Sequence, residues 1–225
     1  MGTLRSRLVN ALRILAVLLA LAAGGPAAAA PNAYASRADA IRGLTAPDPA
    51  HRVDAIVWIA GNGTSADEKL LRPRLHDDST MVRELAERGL WILWARSGDA
   101  AIDALMERGA GQMQGGQLRD AIATFTEVIR RKPAFAEGWN RRATAYFLAR
   151  EFRRSLADCA EVVRRNPYHF GALSGYGQIY FELEQFDKAI AYWRRALAVN
   201  PNLAGVAERI ELAEKLRERQ RRDSV

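Results

Sequence analysis

The sequence is poor in the residues that build most catalytic and metal sites. Its 225 residues include one cysteine, Cys159, and three histidines, His51, His76 and His169. A lone cysteine excludes an intramolecular disulfide, and no two histidines have the spacing that would place two zinc ligands on one helix face. No glycine-rich phosphate loop with a following Lys-Ser/Thr is present either. We therefore expect a protein that is not an enzyme and has no metal and no cofactor.

One histidine has acidic neighbours. His76 precedes Asp77 and Asp78, which together would suit a metal ion. The same carboxylates, or Ser79 after them, also suit the cap of a helix that starts near Thr80. We prefer the capping interpretation.

Long apolar runs are scarce as well. The longest, residues 14–23 (ILAVLLALAA), is too short to span a bilayer comfortably. It follows three arginines without an acidic residue, and small residues follow it as far as Ala35. This order predicts a secretory signal over residues 1–35, with cleavage sites after Ala29 and after Ala35, and hence export to a bacterial periplasm. An uncleaved membrane anchor over residues 14–30 stays the alternative.

Acidic residues are slightly outnumbered. The formal net charge is +7, and without the three arginines of residues 1–35 the balance is 30 basic against 26 acidic side chains. These charges are interleaved, as on solvated helix faces, so we expect no nucleic-acid partner. Three arginine pairs lie on helices or at their C-terminal ends, where cations suit the helix dipole. Docking of this basic surface on an anionic membrane is the alternative. The pairs are Arg130-Arg131, Arg153-Arg154 and Arg164-Arg165.

A period of 34 residues organises the second half of the chain. Pro133, Pro167 and Pro201 are 34 residues apart, and each follows a basic or polar residue. Proline lacks an amide hydrogen and disfavours helix in the residue before it, so it separates one helical hairpin from the next. Repeats of this length are typical of an all-α solenoid of helix–turn–helix units.

Around these prolines the chain resembles the tetratricopeptide family, whose pattern is Trp-x2-Leu-Gly-x2-Tyr, Ala-x3-Phe and Pro. The second copy has Trp139, Ala143, Tyr146, Ser155, Cys159 and Pro167, the third has Leu173, Gly177, Tyr180, Ala189, Trp193 and Pro201, and the first has Leu105, Gly109, Gln112, Ala121, Phe125 and Pro133. The resemblance implies three repeats over residues 102–202 (102–135, 136–169 and 170–202). A capping helix and tail over residues 203–225 would follow. The resemblance also implies that the two helices of a repeat approach closely at Gly109 and Gly177, and that Cys159 is buried and unreactive.

Residues 36–97 have a different rhythm. Four residues recur 31 positions later: Leu44 as Leu75, Arg52 as Arg83, Ala55 as Ala86, and Ile59 as Leu90. Together with an aspartate-bearing turn followed by Val-Arg, this region resembles HEAT-like repeats, and we expect it to be helical. The alternative is a plain helical cap over the exposed end of the array, which would otherwise leave an apolar face in water.

The resemblance also implies where a ligand would bind, because the first helix of each tetratricopeptide repeat lines a concave groove. The groove candidates are Met106, Met113, Asn140, Thr144, Phe147, Ser174, Gln178 and Phe181. Asn140 and Gln178 suit a peptide backbone, and the apolar members suit a hydrophobic anchor. Any of them packing within the superhelix is the alternative. The clamp of lysine, asparagine and arginine that some family members use for a chain-terminal carboxylate is absent. Its slots hold Met106, Ala110, Arg141, Gly171 and Gly175.

We therefore expect an exported, non-enzymatic scaffold or adaptor that binds a peptide or helix of another envelope protein, as in an assembly factor. A self-associating structural protein is the alternative, with contacts through the N-terminal helices or the Trp58, Trp91 and Trp94 region. The sequence leaves the partner and the oligomeric state open.

Overall fold

A computed structural model describes residues 34–223, and within that range the chain is helical, with no β-strand. The eleven α-helices are α1 Arg37–Gly43, α2 Pro49–Asn62, α3 Glu68–Leu71, α4 Thr80–Ala95, α5 Ala100–Gln114, α6 Leu118–Arg131, α7 Ala136–Leu148, α8 Phe152–Arg165, α9 Phe170–Glu182, α10 Phe186–Val199 and α11 Val206–Asp223. The all-α expectation is confirmed. Among these helices none has the length and apolar character that crossing a bilayer requires. All but the last two residues of the predicted leader lie outside the described residues.

Helices α5 to α10 form three antiparallel hairpins in the predicted register. The turn inside each hairpin contains one residue with positive φ, and these residues, Gly116, Arg150 and Glu184, are again 34 positions apart. Only glycine adopts this left-handed conformation without steric cost. The second and third turns nevertheless keep the same geometry with Arg150 and Glu184 in place of a glycine. The period therefore extends to the backbone conformation.

Small residues allow the two helices of each hairpin to approach closely. A Cβ built on Gly109 would overlap the ring of Phe125, and one built on Gly177 would overlap Trp193. In the second hairpin the Ser155 hydroxyl donates to the carbonyl of Ala143 (2.7 Å). The close approach expected at Gly109 and Gly177 is what the structure shows.

Residues 34–97, here called the N-terminal unit, contain two equivalent turns that explain the 31-residue echo. Arg52 Nη1 donates to the carbonyls of residues 46 and 47 (2.9 and 3.0 Å), and Arg83 Nη1 donates to those of residues 77 and 78 (2.9 and 3.2 Å). Each arginine thus ties its helix to the turn five and six residues before it. The turns are also linked to each other, because Arg52 Nη2 donates to Asp77 Oδ1 (2.7 Å).

The turn before α4 differs in detail from the capping interpretation. The helix begins at Thr80 as expected, but Ser79 makes no side-chain capping bond. Asp77 Oδ1 accepts from the Ser79 amide (3.1 Å) and pairs with Arg52. Burial alone would raise the pKa of Asp77, but its hydrogen bonds, chiefly those from Arg52 and the Ser79 amide, and the charge of Arg52 together outweigh it and lower that pKa. Asp77 therefore acts mainly as the hydrogen-bond partner of Arg52 and not as the cap of α4.

The N-terminal unit lies along the turns between repeats and is not a cap stacked on the first repeat. At the first turn, Lys132 Nζ donates to the carbonyl of Ser97. At the second, Asn166 Nδ2 donates to Glu68 Oε2 (2.7 Å), and at the third, Asn202 Nδ2 donates to the carbonyl of Leu75 (2.8 Å). The alternative of a plain end cap is therefore wrong in its placement, since one edge of all three repeats is bridged.

The third turn takes the place of a further turn of the N-terminal unit. The carbonyl of Leu44 accepts from Arg74 Nη1 (2.9 Å), just as the carbonyl of Leu75 accepts from Asn202 Nδ2. Asn202 Oδ1 in turn accepts from Arg83 Nε (2.8 Å), as Asp77 accepts from Arg52. The stacking of the N-terminal unit thus continues into the last repeat.

An aromatic contact completes this interface. Phe170 is fully buried and belongs to the core of the N-terminal unit, although it begins α9. Its ring lies 5.2 Å from that of Trp91 and 4.9 Å from that of Trp94. Trp58 is half-buried against the same core. The three tryptophans considered for self-association therefore pack within the chain.

Candidate protein-binding groove

The first helices of the repeats, α5, α7 and α9, present residues in rows spaced by 34 positions. One row contains Ala110, Thr144 and Gln178, and it extends to Leu212 on α11. Helix α11 packs against α10, and its Arg209 Nη1 donates to Gln178 Oε1 (3.2 Å). The C-terminal helix thus takes the position of the first helix of a fourth repeat and lengthens the groove.

The apolar candidates are shared between core and surface. Met106 and Met113 are half-buried against the core formed by Ala121 and Phe125. Phe147 lies 5.8 Å from the ring of Phe152. Phe181 lies 5.6 Å from the rings of both Phe186 and Trp193. These side chains therefore contribute to packing within the array, as our alternative describes, and remain partly exposed.

The polar candidates are closer to solvent. Thr144 is exposed and its hydroxyl donates to the carbonyl of Asn140 (3.0 Å). Gln178 is half-buried and its amide donates to Glu182 Oε1 (3.1 Å). Ser174 is half-buried. Asn140 donates to Glu137 Oε2 (3.0 Å), and no described group donates to its own side-chain oxygen.

Two exposed leucines were missed by the sequence reasoning. Leu148 ends α7 beside Phe147 and is 51% exposed, and Leu212 on α11 is 48% exposed. Leu212 could have been found by continuing the 34-residue period from Gln178 beyond the last proline. Leu148 carried no such signal, because only the packing of its neighbours decides which side chain stays in water. Single exposed leucines scattered over a protein surface are common, whereas exposed leucines in a groove indicate a binding surface.

The N-terminal unit borders one edge of the groove. A Cβ on Gly171 would overlap Cη2 of Trp91, so this position can hold no side chain. Gly171 is one of the slots that the carboxylate clamp would need. Trp91 therefore gives a physical reason, beyond the missing lysines, why that clamp is not formed here.

A buried carboxylate lies beneath the groove at the second repeat. The Glu137 side chain is 1% exposed and accepts from Arg141 Nε (2.7 Å), from Asn140 Nδ2 (3.0 Å) and from the ring of His169 (3.2 Å). Burial alone would raise the pKa of Glu137, but its interactions with His169 and with Arg141 together outweigh it and lower that pKa. Glu137 is thus an ionised buried group with three partners, and none of this network was foreseen from the sequence.

The arginine pairs are largely matched by acidic residues on their own helices. Arg130 and Arg131 both pair with Glu127 (2.6 Å each), and their hydrogen bonds lower its pKa to about 2. Arg164 and Arg165 do the same for Glu161, whose pKa is also about 2. Arg154 pairs with Glu151 (2.7 Å), whereas Arg153 is exposed. Most of this positive charge is therefore locally compensated.

The remaining candidate chemistry is sparse. Cys159 is buried, and burial raises the pKa of its thiol to about 12, so the thiol stays protonated. His51 and His76 are exposed, and His169 caps α9. Over residues 34–223 no three histidine, cysteine, aspartate or glutamate side chains are grouped so that they could hold a metal ion.

An array of helical hairpins with a concave row of side chains defines a class, the helical-repeat scaffolds. Two family descriptions of the tetratricopeptide repeat match the sequence, one over residues 106–170 and one over residues 172–203. The chain is therefore a tetratricopeptide repeat protein over residues 106–203. The sequence has no significant match among curated proteins.

Solved structures share the fold. The Sgt2 TPR domain from Aspergillus fumigatus matches with a TM-score of 0.53 and 19% identity, over 55% of this chain and 83% of that one. The first TPR domain of human RPAP3 matches with a TM-score of 0.52 and 23% identity, over 54% and 95%. The MamA protein matches with a TM-score of 0.50 and 17% identity, over 69% and 85%. At these identities the similarity shows the fold alone.

Proposed function

We propose that this protein is an exported, non-catalytic adaptor that binds a peptide or helix of another envelope protein, as an assembly factor would. The observation that carries the proposal is the open part of the groove. There Leu148 follows Thr144 by about one helical turn, and Leu212 continues the row that contains Thr144 and Gln178; each leucine is about half exposed. Apolar anchors beside polar groups on a concave helical surface suit a protein segment.

The groove also limits which segment fits. Trp91 covers Gly171, near the N-terminal end of α9. A ligand would therefore lie toward the C-terminal ends of the first helices, away from the N-terminal unit. An apolar side chain of the ligand would contact Leu148, and its backbone would meet Asn140 and Thr144. A helix or an extended segment from within a chain meets these conditions without a terminal carboxylate.

The chemistry of the groove supports binding rather than catalysis. Its one buried carboxylate, Glu137, is engaged by three donors, and the buried thiol of Cys159 is held protonated. A general base must reach the proton that it removes, and a nucleophile must be deprotonated or have a base beside it. Neither group meets that requirement.

Export is proposed from residues 1–35, where a basic start precedes a short apolar run and small residues. Fractionation of cells that express the full chain, with N-terminal sequencing of the mature protein, tests it. We expect the protein in the periplasmic fraction with its first residue at Ala30 or Ser36. Recovery in the cytoplasm with Met1 intact would refute export and leave the groove untouched.

The binding proposal is tested by capture from the native envelope. The full chain and its Leu148→Asp variant are used as bait, and bound proteins are quantified by mass spectrometry. Ala157→Asp is the matched control, because it places the same carboxylate at an exposed site on the second helix of the same repeat. We expect at least one partner to fall by about tenfold with Leu148→Asp, equivalent to about 1.4 kcal/mol, and to persist with Ala157→Asp. Equal recovery with both variants would refute binding in the groove.

A further inference from the structure

A buried network joins the N-terminal unit to the groove. It starts at Trp94, whose ring stacks on that of His169 at 4.3 Å between centroids and 22° between planes. It continues from His169 to the buried Glu137, and from Glu137 to Asn140 and Arg141 on the groove helix α7. The unit that borders one edge of the groove is thus connected to two polar side chains of the groove.

The geometry of His169 determines where its proton lies. Nδ1 lies 3.1 Å from the amide of Ala172, and since an amide can only donate, Nδ1 accepts. Nε2 therefore carries the hydrogen and donates to Glu137 Oε2 at 3.2 Å. One imidazole thus caps α9 and orients the carboxylate, while its face is held by Trp94.

Glu137 in turn fixes two consecutive groove residues. Its two oxygens take the Arg141 Nε hydrogen at 2.7 Å and one Asn140 amide hydrogen at 3.0 Å. The Arg141 side chain is 38% exposed, and no described group accepts from its terminal nitrogens. These nitrogens and the second Asn140 amide hydrogen therefore remain as adjacent donors at the groove surface.

The network occurs in one repeat only. The positions equivalent to Glu137 are Asp103, which accepts from the Ser97 amide (3.0 Å), and Gly171, which lies under Trp91. A buried ionised carboxylate is a poor means of stabilising a fold, because its desolvation offsets much of what its partners contribute. Such a network is better suited to holding polar side chains in one arrangement.

We propose that Glu137 and His169 are positioning residues, through which the docked N-terminal unit fixes Asn140 and Arg141 to donate to a backbone carbonyl or a side-chain carboxylate of the bound segment. This inference rests on the proposed function for its ligand. The arrangement of the donors themselves needs no ligand and can be measured on the free protein.

Two substitutions separate the two roles of His169. In His169→Asn the shorter amide keeps an acceptor for the Ala172 amide but does not reach Glu137. In His169→Gln the longer amide still reaches Glu137 and gives up the cap. The readouts are the hydrogen-exchange rate of Arg141 Nε–H and the chemical shifts of the Asn140 side-chain amide, both measured by NMR on the intact protein.

We expect Arg141 Nε–H to exchange at least about tenfold faster in His169→Asn than in the wild type, with His169→Gln close to the wild type. Unchanged spectra in both variants would overturn the proposal, and so would equal changes in both, which would reflect stability alone. If His169→Asn does not fold, Glu137→Gln serves, because the neutral amide weakens the Arg141 pairing at constant shape, and an unchanged rate would again overturn it.

The outcome is independent of the capture experiment. If the Arg141 and Asn140 signals respond as expected while Leu148→Asp retains every partner, the positioning stands and the groove-binding function fails. If Leu148→Asp loses a partner while both His169 variants leave the signals unchanged, the adaptor stands and the positioning fails. Where both hold, His169→Asn should also capture less partner than His169→Gln.

Discussion

The N-terminal unit and the repeat array are held together in different ways. The array has several small cores, each made by neighbouring helices, such as those around Phe125 and around Trp193. The N-terminal unit has one continuous core, which also takes in Phe170 from the third repeat. Because repeats in a solenoid contact only their neighbours, an array alone bends easily. A unit that contacts all three turns between repeats opposes such bending.

The arginines of the two regions show the same difference. In the array, Arg130 and Arg164 pair with acidic residues three positions earlier on exposed helix faces. In the N-terminal unit, Arg52 and Arg83 reach backbone carbonyls of adjacent turns and a side chain of the next turn. Exposed pairs contribute little to stability, whereas charged donors to partly buried carbonyls contribute more. Charge is thus mainly a surface property of one region and a structural element of the other.

The largest effect should follow from Phe170→Ala, which removes the aromatic side chain that the two regions share. We expect a loss of about 3–5 kcal/mol in the free energy of unfolding, measured by urea denaturation. Phe135→Ala is the matched control, since Phe135 is buried only within the array, against Ile102 and Val128. Hydrogen exchange in residues 82–94 should accelerate far more with Phe170→Ala. Similar acceleration with both would show that Phe170 has no special role between the regions.

The next effect compares two glycines of α9. Gly171→Ala should destabilise the protein by about 1–3 kcal/mol, because its new methyl group overlaps Trp91 of the other region. A Cβ on Gly175 meets only Cys159 Sγ at 3.8 Å, so Gly175→Ala should stabilise the helix by about 0.5–1 kcal/mol. Chemical denaturation measures both. A neutral Gly171→Ala would mean that Trp91 does not pack where the structure places it.

An effect of similar size is expected at the third turn. Asn202→Ala removes the donor to Leu75 and the acceptor for Arg83, which should cost about 1–3 kcal/mol. Asn62→Ala serves as control, because Asn62 is exposed and bonds only to the carbonyl of Trp58 in its own helix. Thermal unfolding should show a clear drop in Tm for the first variant alone. Equal Tm values would contradict the bridging of the third turn.

The smallest effect depends on pH. The pKa of Asp77 is lowered in the folded state, so its contribution to stability is present above the unfolded-state pKa and is lost as the pH falls through the folded-state value. Asp77→Asn should therefore weaken the protein at pH 7, and this difference should shrink below about pH 4. Glu127→Gln should change little at either pH, because Glu127 pairs with arginines at the surface. Denaturation midpoints across the pH range measure this, and a pH-independent loss for Asp77→Asn would contradict it.

The 34-residue period predicted the hairpins because each repeat is stabilised by contacts within about one period. Gly177 and Trp193, for example, meet across a single hairpin. The docking of the N-terminal unit could not be predicted this way, since Glu68 bonds with Asn166 and Leu75 with Asn202 across 98 and 127 residues. No local pattern encodes such pairs.

The groove was predicted with similar limits. The helical register places Thr144 and Gln178 at equivalent positions of two successive repeats. It could not tell that Phe147 is partly withdrawn against Phe152 while the adjacent Leu148 stays exposed. Nor could it pair Glu137 with His169, whose meeting depends on how two consecutive repeats pack. Exposure and buried polar contacts are properties of the assembled fold.

The central claim is that the N-terminal unit and the repeat array form one cooperative body joined through the turns between repeats. Native-state hydrogen exchange at increasing urea tests it most directly on the intact chain. We expect the opening free energies of residues 82–94 and of residues 170–179 to converge on one value as urea increases. Loss of protection in residues 82–94 at low urea, with residues 170–179 still protected, would contradict it.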